Sequence, residues 1–289
     1  MKATPFITLC IIGTLSLSAC ASPASNAPDP AQPVTLDSVD ISAHSAVRAL
    51  LDPATGAVSL PSDDFSAQSP AVSMRVRHAL EVRTDQCMVA AGFDAAAQTM
   101  DWTPTGPVEN RVMGIWSVPL AEEFGLDPAS RTNGPTRDIS GRGPAAATSY
   151  ADCADEAKQA LGSELAFIEA PGIDVTIRRN AIDATLASAA GKAASTEWGA
   201  CMESRGVVVQ PSSNRVSEQY RDQPKEAQIA AAMGSAECAT STGAAQKLYD
   251  LVAQHEAAFI AEQGATIAEH KEKMAAVAAK LDAVIAGKE

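Results

Sequence analysis

Cys87-Met88-Val89-Ala90-Ala91-Gly92-Phe93 and Cys201-Met202-Glu203-Ser204-Arg205-Gly206-Val207 both read C-M-x-x-x-G-apolar. Each follows helix-compatible sequence, and each glycine stands where a left-handed residue would end a helix. The second cysteines also match: Ala151-Asp152-Cys153-Ala154 and Ala236-Glu237-Cys238-Ala239 each lie in a helical pattern of small and acidic residues. Self-similarity of this kind predicts a duplicated helix, loop, helix unit. The expected fold is therefore mainly α: two related helix-loop-helix units, a long C-terminal helix and few short strands.

The compartment decides what the cysteines do. Lys2 supplies a positive start, and residues 6–17 form an apolar run of signal-peptide length, too short to span a bilayer. Leu17-Ser18-Ala19-Cys20 then resembles the lipobox of bacterial lipoproteins. The resemblance implies that Cys20 is acylated, that residues 1–19 are removed, and that the chain is lipid-anchored on the extracytoplasmic face of the cell membrane. Two or three acyl chains bury dozens of methylenes at about 0.8 kcal/mol each, which makes such an anchor lasting. Residues 20–45 are rich in Ala, Ser, Pro, Asn and Asp and read as a flexible tether. A first unit is expected over 46–172 and a second over 173–289.

Beyond Cys20 the chain keeps Cys87, Cys153, Cys201 and Cys238. An even count outside the cytoplasm predicts two disulfides, which can pair in three ways. Zinc sites usually carry C-x2-C pairs or nearby histidines, and these four have neither, so no metal is expected. If the repeated units are related, the parsimonious pairing is within each: Cys87 with Cys153, and Cys201 with Cys238. A formal net charge of −13 makes nucleic acid and anionic headgroups poor partners for the bulk surface.

Along the chain, 46–66 predicts a short element, a turn at Pro53 to Gly56 and an extended approach. Ser69 and Pro70 open a helix that runs to about Ala91. A loop-rich stretch follows to Ser149, with a short helix capped by Ser117 and ended by Gly125. Further helices are expected over 149–169 and 180–205, with a short strand at Val207 to Val209. One last helix is expected from Pro224 almost to Ile285, its first half packed on the preceding helix and its last turns exposed.

No catalytic signature emerges. His255-Glu256-Ala257-Ala258-Phe259 starts like H-E-x-x-H but has Phe where the second zinc ligand belongs. His255 and His270 read as surface or flank residues and Glu122 and Glu123 as solvated; Trp102, Trp116 and Trp198 are candidates to line a groove, with Trp198 expected as core beside Cys201. No G-x-S-x-G elbow, P-loop or G-x-G-x-x-G is present.

With Leu60-Pro61-Ser62-Asp63-Asp64-Phe65, Cys87 to Phe93 and Gly114 to Gly125 in hand, the chain resembles a group of actinobacterial envelope lipoproteins. The resemblance implies location and disulfides, and no reaction or cofactor. The leading expectation is a non-catalytic lipoprotein that binds or scaffolds another envelope component, through the first unit's loops or the C-terminal helix, which could also self-associate. Alternatives are a small-molecule or peptide-binding lipoprotein with its pocket between Gly92 and Ser149, and a cell-wall hydrolase.

Overall fold

Both C-M-x-x-x-G motifs end helices in the same way in the computed structural model, which describes residues 39–103, 109–129, 135, 137–139, 142–210 and 213–288. Helix α1 (Pro70–Ala90) stops at Gly92, whose φ is +90°, and α6 (Ala189–Ser204) at Gly206, with φ +71°. The Phe93 N–H donates to the Met88 carbonyl (2.9 Å) and Gly92 N–H to Val89 (3.0 Å). Val207 N–H likewise reaches Met202 (3.0 Å), and Gly206 N–H reaches Glu203 (2.9 Å). These paired bonds satisfy carbonyls that a helix end leaves without donors, in a geometry that glycine adopts without a Cβ penalty. Met88 and Met202 are both buried.

Cys87 is bonded to Cys153 in α3 (Pro144–Ala160), and Cys201 to Cys238 in α7 (Lys225–Ser241), with Cα separations of 5.5 and 5.7 Å. Each bridge joins the C-terminal turns of one repeat helix to a later helix. The described residues all fall within one compact unit that begins at Thr35. Cys20, the leader and the tether as far as residue 38 lie outside the described residues.

Ser69 accepts from Val72 N–H at the start of α1, where Pro70 takes a position whose own N–H would be orphaned. Ser117 does the same for α2 (Val118–Phe124), which Gly125 ends. The 46–66 stretch forms an antiparallel hairpin, β1 (Leu50–Asp52) with β2 (Ala57–Ser59), Leu51 opposite Val58, followed by a 3₁₀ turn over Pro61–Phe65. Val209 makes only an isolated bridge to Val216.

Three of the expected helices are divided. The 149–169 helix starts earlier, at Pro144, and breaks at buried Leu161 before α4 (Gly162–Glu169). In the 180–205 segment, α5 (Ile173–Ala187) ends at extended Ser188 (φ −67°, ψ 155°), whose Oγ then caps α6 through Gly191 N–H (2.9 Å). The stretch from Pro224 is α7, α8 (Ala244–Glu262) and α9 (Gly264–Ile285). Left-handed Gly243 separates the first two, and Gln263 before Gly264 the last two. The apolar period continues through these breaks, so periodicity alone read them as one helix. What divides them is local: side-chain capping at Ser188 and backbone freedom at glycine.

Two cores result. The larger gathers the hairpin, α2 and α5 to α8 around Ile177, Trp198, Met202, Cys238, Leu248, Val252 and Phe259, with Cys201 packed against its edge, so Trp198 is core as its place beside Cys201 predicts. The smaller gathers Val76 and Ala79 of α1, Leu161, Ile168 of α4, and Leu281 and Val284 of α9. The last turns of α9 are thus buried, Leu281 and Val284 at 0% exposure, which corrects the expectation that they face solvent. Helix α9 packs on α1 because the breaks at Gly243 and Gln263 turn the chain back. The cores cross the expected boundary at residue 172. Among the described residues no helix is long and apolar enough to cross a membrane.

Candidate functional site

The hairpin, the 3₁₀ turn and the first turns of α5 leave a cleft between them, closed on the fourth side by residues 109–112. Its volume is about 620 Å³, a size that suits a small ligand. Charged and amide side chains among its lining residues, including Asp63, Glu109, Asn110, Arg111, Asp174 and Arg178, stand beside apolar Ala57, Val58, Pro70, Val112 and Val175.

Each wall is held from the core. Buried Tyr249 of α8 donates to the Asn110 carbonyl (3.0 Å) and accepts from Met113 N–H (3.3 Å), while Trp116 Nε1–H donates to the same Asn110 carbonyl (2.8 Å). Burial holds the Tyr249 phenol above its ordinary range, so it works as a neutral hydrogen-bonding strut. Arg111 closes the segment by pairing Nε with Glu109 (2.6 Å) and donating Nη1–H to the Leu126 carbonyl (2.8 Å).

At the opposite wall is a charge pair whose carboxylate is buried and whose guanidinium is half-buried. Arg178 donates Nε–H to Glu256 Oε1 (2.6 Å) and Nη2–H to Ser62 Oγ (2.6 Å) and Asp63 Oδ1 (2.9 Å). Glu256, at 0% exposure, also accepts from Ser62 N–H (2.9 Å), and Asp63 Oδ2 accepts from Leu60 N–H (2.7 Å). The Leu60 to Phe65 motif is thereby locked to α5 and α8. Burial raises the Glu256 carboxyl above its ordinary value, against the pull of Arg178 and Ser62 in the other direction. Such a pair fixes geometry more surely than it adds stability.

One turn earlier on α5, Asp174 Oδ2 accepts from Ser66 Oγ (3.1 Å) and Ala67 N–H (3.2 Å). Its Oδ1 lies 3.8 Å from His270 Nε2, which is 3.1 Å from the Phe65 carbonyl. A carbonyl only accepts, so this nitrogen carries a proton and gives it to Phe65.

The reading of His255 and His270 as surface or flank residues is corrected: each is 8% exposed. A single straight helix would leave them open, and the turns around α8 and α9 cover them. Neither ring nitrogen of His255 has a hydrogen-bond partner, and burial lowers its pKa. A lowered folded-state value means that stability is intact above the unfolded value of about 6.5 and is lost as pH falls through the folded one. Wild type is therefore expected to lose more unfolding free energy between pH 7 and pH 5 than His255→Phe, as measured by urea titration at both pH values. Equal losses would contradict this assignment.

Of the residues chosen from sequence, the four cysteines are bonded, and Glu122 and Glu123 are exposed as expected. Trp102 stacks on His78 with ring centroids 4.6 Å apart, away from the cleft. Among the described residues, the Gly92 to Ser149 stretch supplies one wall of this cleft and, with residues 215–218 and Arg221, half the lining of a second cavity of about 270 Å³. Among the described residues no group of three His, Cys, Asp or Glu side chains could hold a metal ion. Asp174, Arg178 and Glu256 were not singled out as a site, because 78 residues separate Arg178 from its partner. The H-E pair at 255–256 is the local sequence signal at that position. Comparison with family models, curated proteins and solved structures returns no match for this chain.

Proposed function

We propose that this protein is a non-catalytic envelope lipoprotein, anchored through Cys20 on the outer face of the membrane, that binds a small polar ligand or a short exposed segment of another envelope component in the cleft beside α5. The observation that carries the binding reading is the 620 Å³ cavity whose walls are each fixed by buried hydrogen bonds. A pre-formed site loses little freedom when a ligand arrives, which is the usual design of a binding pocket. Arg178 and Glu256 spend their donor and acceptor capacity on each other and on the Ser62 turn, so they support the wall and do not offer acid-base chemistry.

The anchor rests on the lipobox resemblance and the tether behind it. Cys20→Ala is expected to release the protein from the membrane fraction, and globomycin to leave the precursor unprocessed. Both are read by fractionation and intact mass, and indifference to both treatments would overturn the anchor. Binding is tested on the purified protein by thermal shift across a panel of polar metabolites and short peptides.

A further inference from the structure

We infer that the second cavity, of about 270 Å³, is a separate binding site for a small organic monocarboxylate, a compact apolar body that ends in one carboxylate. This cavity shares only Arg111 with the cleft beside α5, and a ligand here needs none in the cleft.

The cavity is lined from three segments, 111–115, 126–128 and 215–221, and the fold holds them together. Gly114 has φ +98°, and a Cβ there would stand 2.3 Å from the Asn214 carbonyl oxygen, so only glycine lets the first segment lie directly against the third. Ser235 Oγ of α7 donates to the Ile115 carbonyl (2.9 Å). Gln210 N–H donates to the Arg215 carbonyl (2.9 Å) and Ser217 N–H to that of Val208 (3.0 Å). A hollow fixed in this way needs little reordering when a ligand enters.

Two kinds of surface meet in it. Ile115, Leu126 and Val216 belong to the larger core or pack against it, and with Pro128 they give the cavity an apolar side. The charged lining residues are Arg111, Arg215, Arg221 and Glu218. Arg111 pairs with Glu109 (2.6 Å), Arg221 with Glu218 (2.5 Å), and neighbouring Lys225 with Asp127 (2.8 Å). The Arg215 side chain has no ion pair or hydrogen bond among the described residues. One positive charge is thus left over, beside a Ser217 hydroxyl that accepts from Gln219 N–H (3.5 Å) and keeps its own proton to give.

A guanidinium fork matches a carboxylate through two parallel hydrogen bonds, and one unanswered charge calls for one carboxylate. A dianion would bring its second charge near Glu218, and a cation would meet Arg215. The apolar side selects for a ligand with an apolar body. Because the chain carries a net charge of −13, its long-range field repels anions, and binding of one must come from local contacts.

The test titrates the full-length protein calorimetrically with 4-methylpentanoate, hexanoate and benzoate, and with 4-methylpentanol, acetate and inorganic phosphate for comparison. At least one of the three larger carboxylates is expected to bind one-to-one, with acetate, phosphate and the alcohol each at least tenfold weaker. Arg215→Gln, at an exposed position, should leave the melting temperature unchanged and weaken that carboxylate about tenfold. Arg221→Gln removes the counter-charge of Glu218 and should weaken it as well.

Undiminished affinity in Arg215→Gln would place the carboxylate elsewhere and overturn the inference. Acetate or phosphate binding as tightly as the best larger carboxylate would show that the apolar side takes no part, and the alcohol binding as tightly would show that the charge takes none. Either result overturns it, as does silence from all three larger carboxylates.

Discussion

Replacing Cys87 and Cys153 together by serine will lower the unfolding free energy by about 4 kcal/mol, and the same change at Cys201 and Cys238 by nearly as much. The closed segments have sequence separations of 66 and 37. On the chain-entropy account the longer loop is worth about 0.5 kcal/mol more, since the cost of closure rises only with the logarithm of length. The two losses should differ more in where they act than in size. The 87–153 bridge ties α3 to α1, and α3 itself places no residue in the smaller core, its buried residues being Ala146, Cys153 and Ala157. Without it, α3 should exchange its amide hydrogens quickly while α5 to α8 stay protected. The 201–238 bridge lies against Trp198 and Ala236 in the larger core, so its loss should weaken that whole group of helices. Urea midpoints with hydrogen exchange decide the matter. A reduced protein as stable as the oxidised one would refute the first expectation.

The second large effect lies under the cleft. Glu256→Ala is expected to cost about 2–3 kcal/mol, because it leaves Ser62 N–H without an acceptor and leaves Arg178, 27% exposed, with Asp63 as its remaining counter-charge. Replacing both members, Arg178→Leu with Glu256→Met, should be far milder than either single change. An apolar pair of similar volume needs no desolvation of charge. A double-mutant cycle in urea measures the coupling. Additive single effects would show that the pair is not coupled.

The parts of the fold readable from sequence are those written in a few neighbouring residues. Cys-Met-x-x-x-Gly marks its own helix end because the bonds involved span only six residues, and Ser69-Pro70 and Ser117 to Gly125 mark theirs in the same local way. The disulfide pairing followed from the repeat. Ser188, Leu161 and Gln263 were not readable as breaks, because the apolar period runs through them and capping or glycine freedom decides the outcome. The cleft was least legible of all: its residues come from the Ser62 turn, Asn110, α5 and α8, and only the folded chain brings them together.

Helix α9 completes the small core by laying Leu281 and Val284 on Val76 and Ala79. Ribosomes make the first of these partners some two hundred residues before the last. During synthesis α1 must therefore wait with its apolar stripe uncovered until α9 emerges, and folding of that region is slowed by its long-range closure. Chain shortening at the carboxyl end would leave the nascent amino-terminal helix without a mate and exposed to chaperones and proteases.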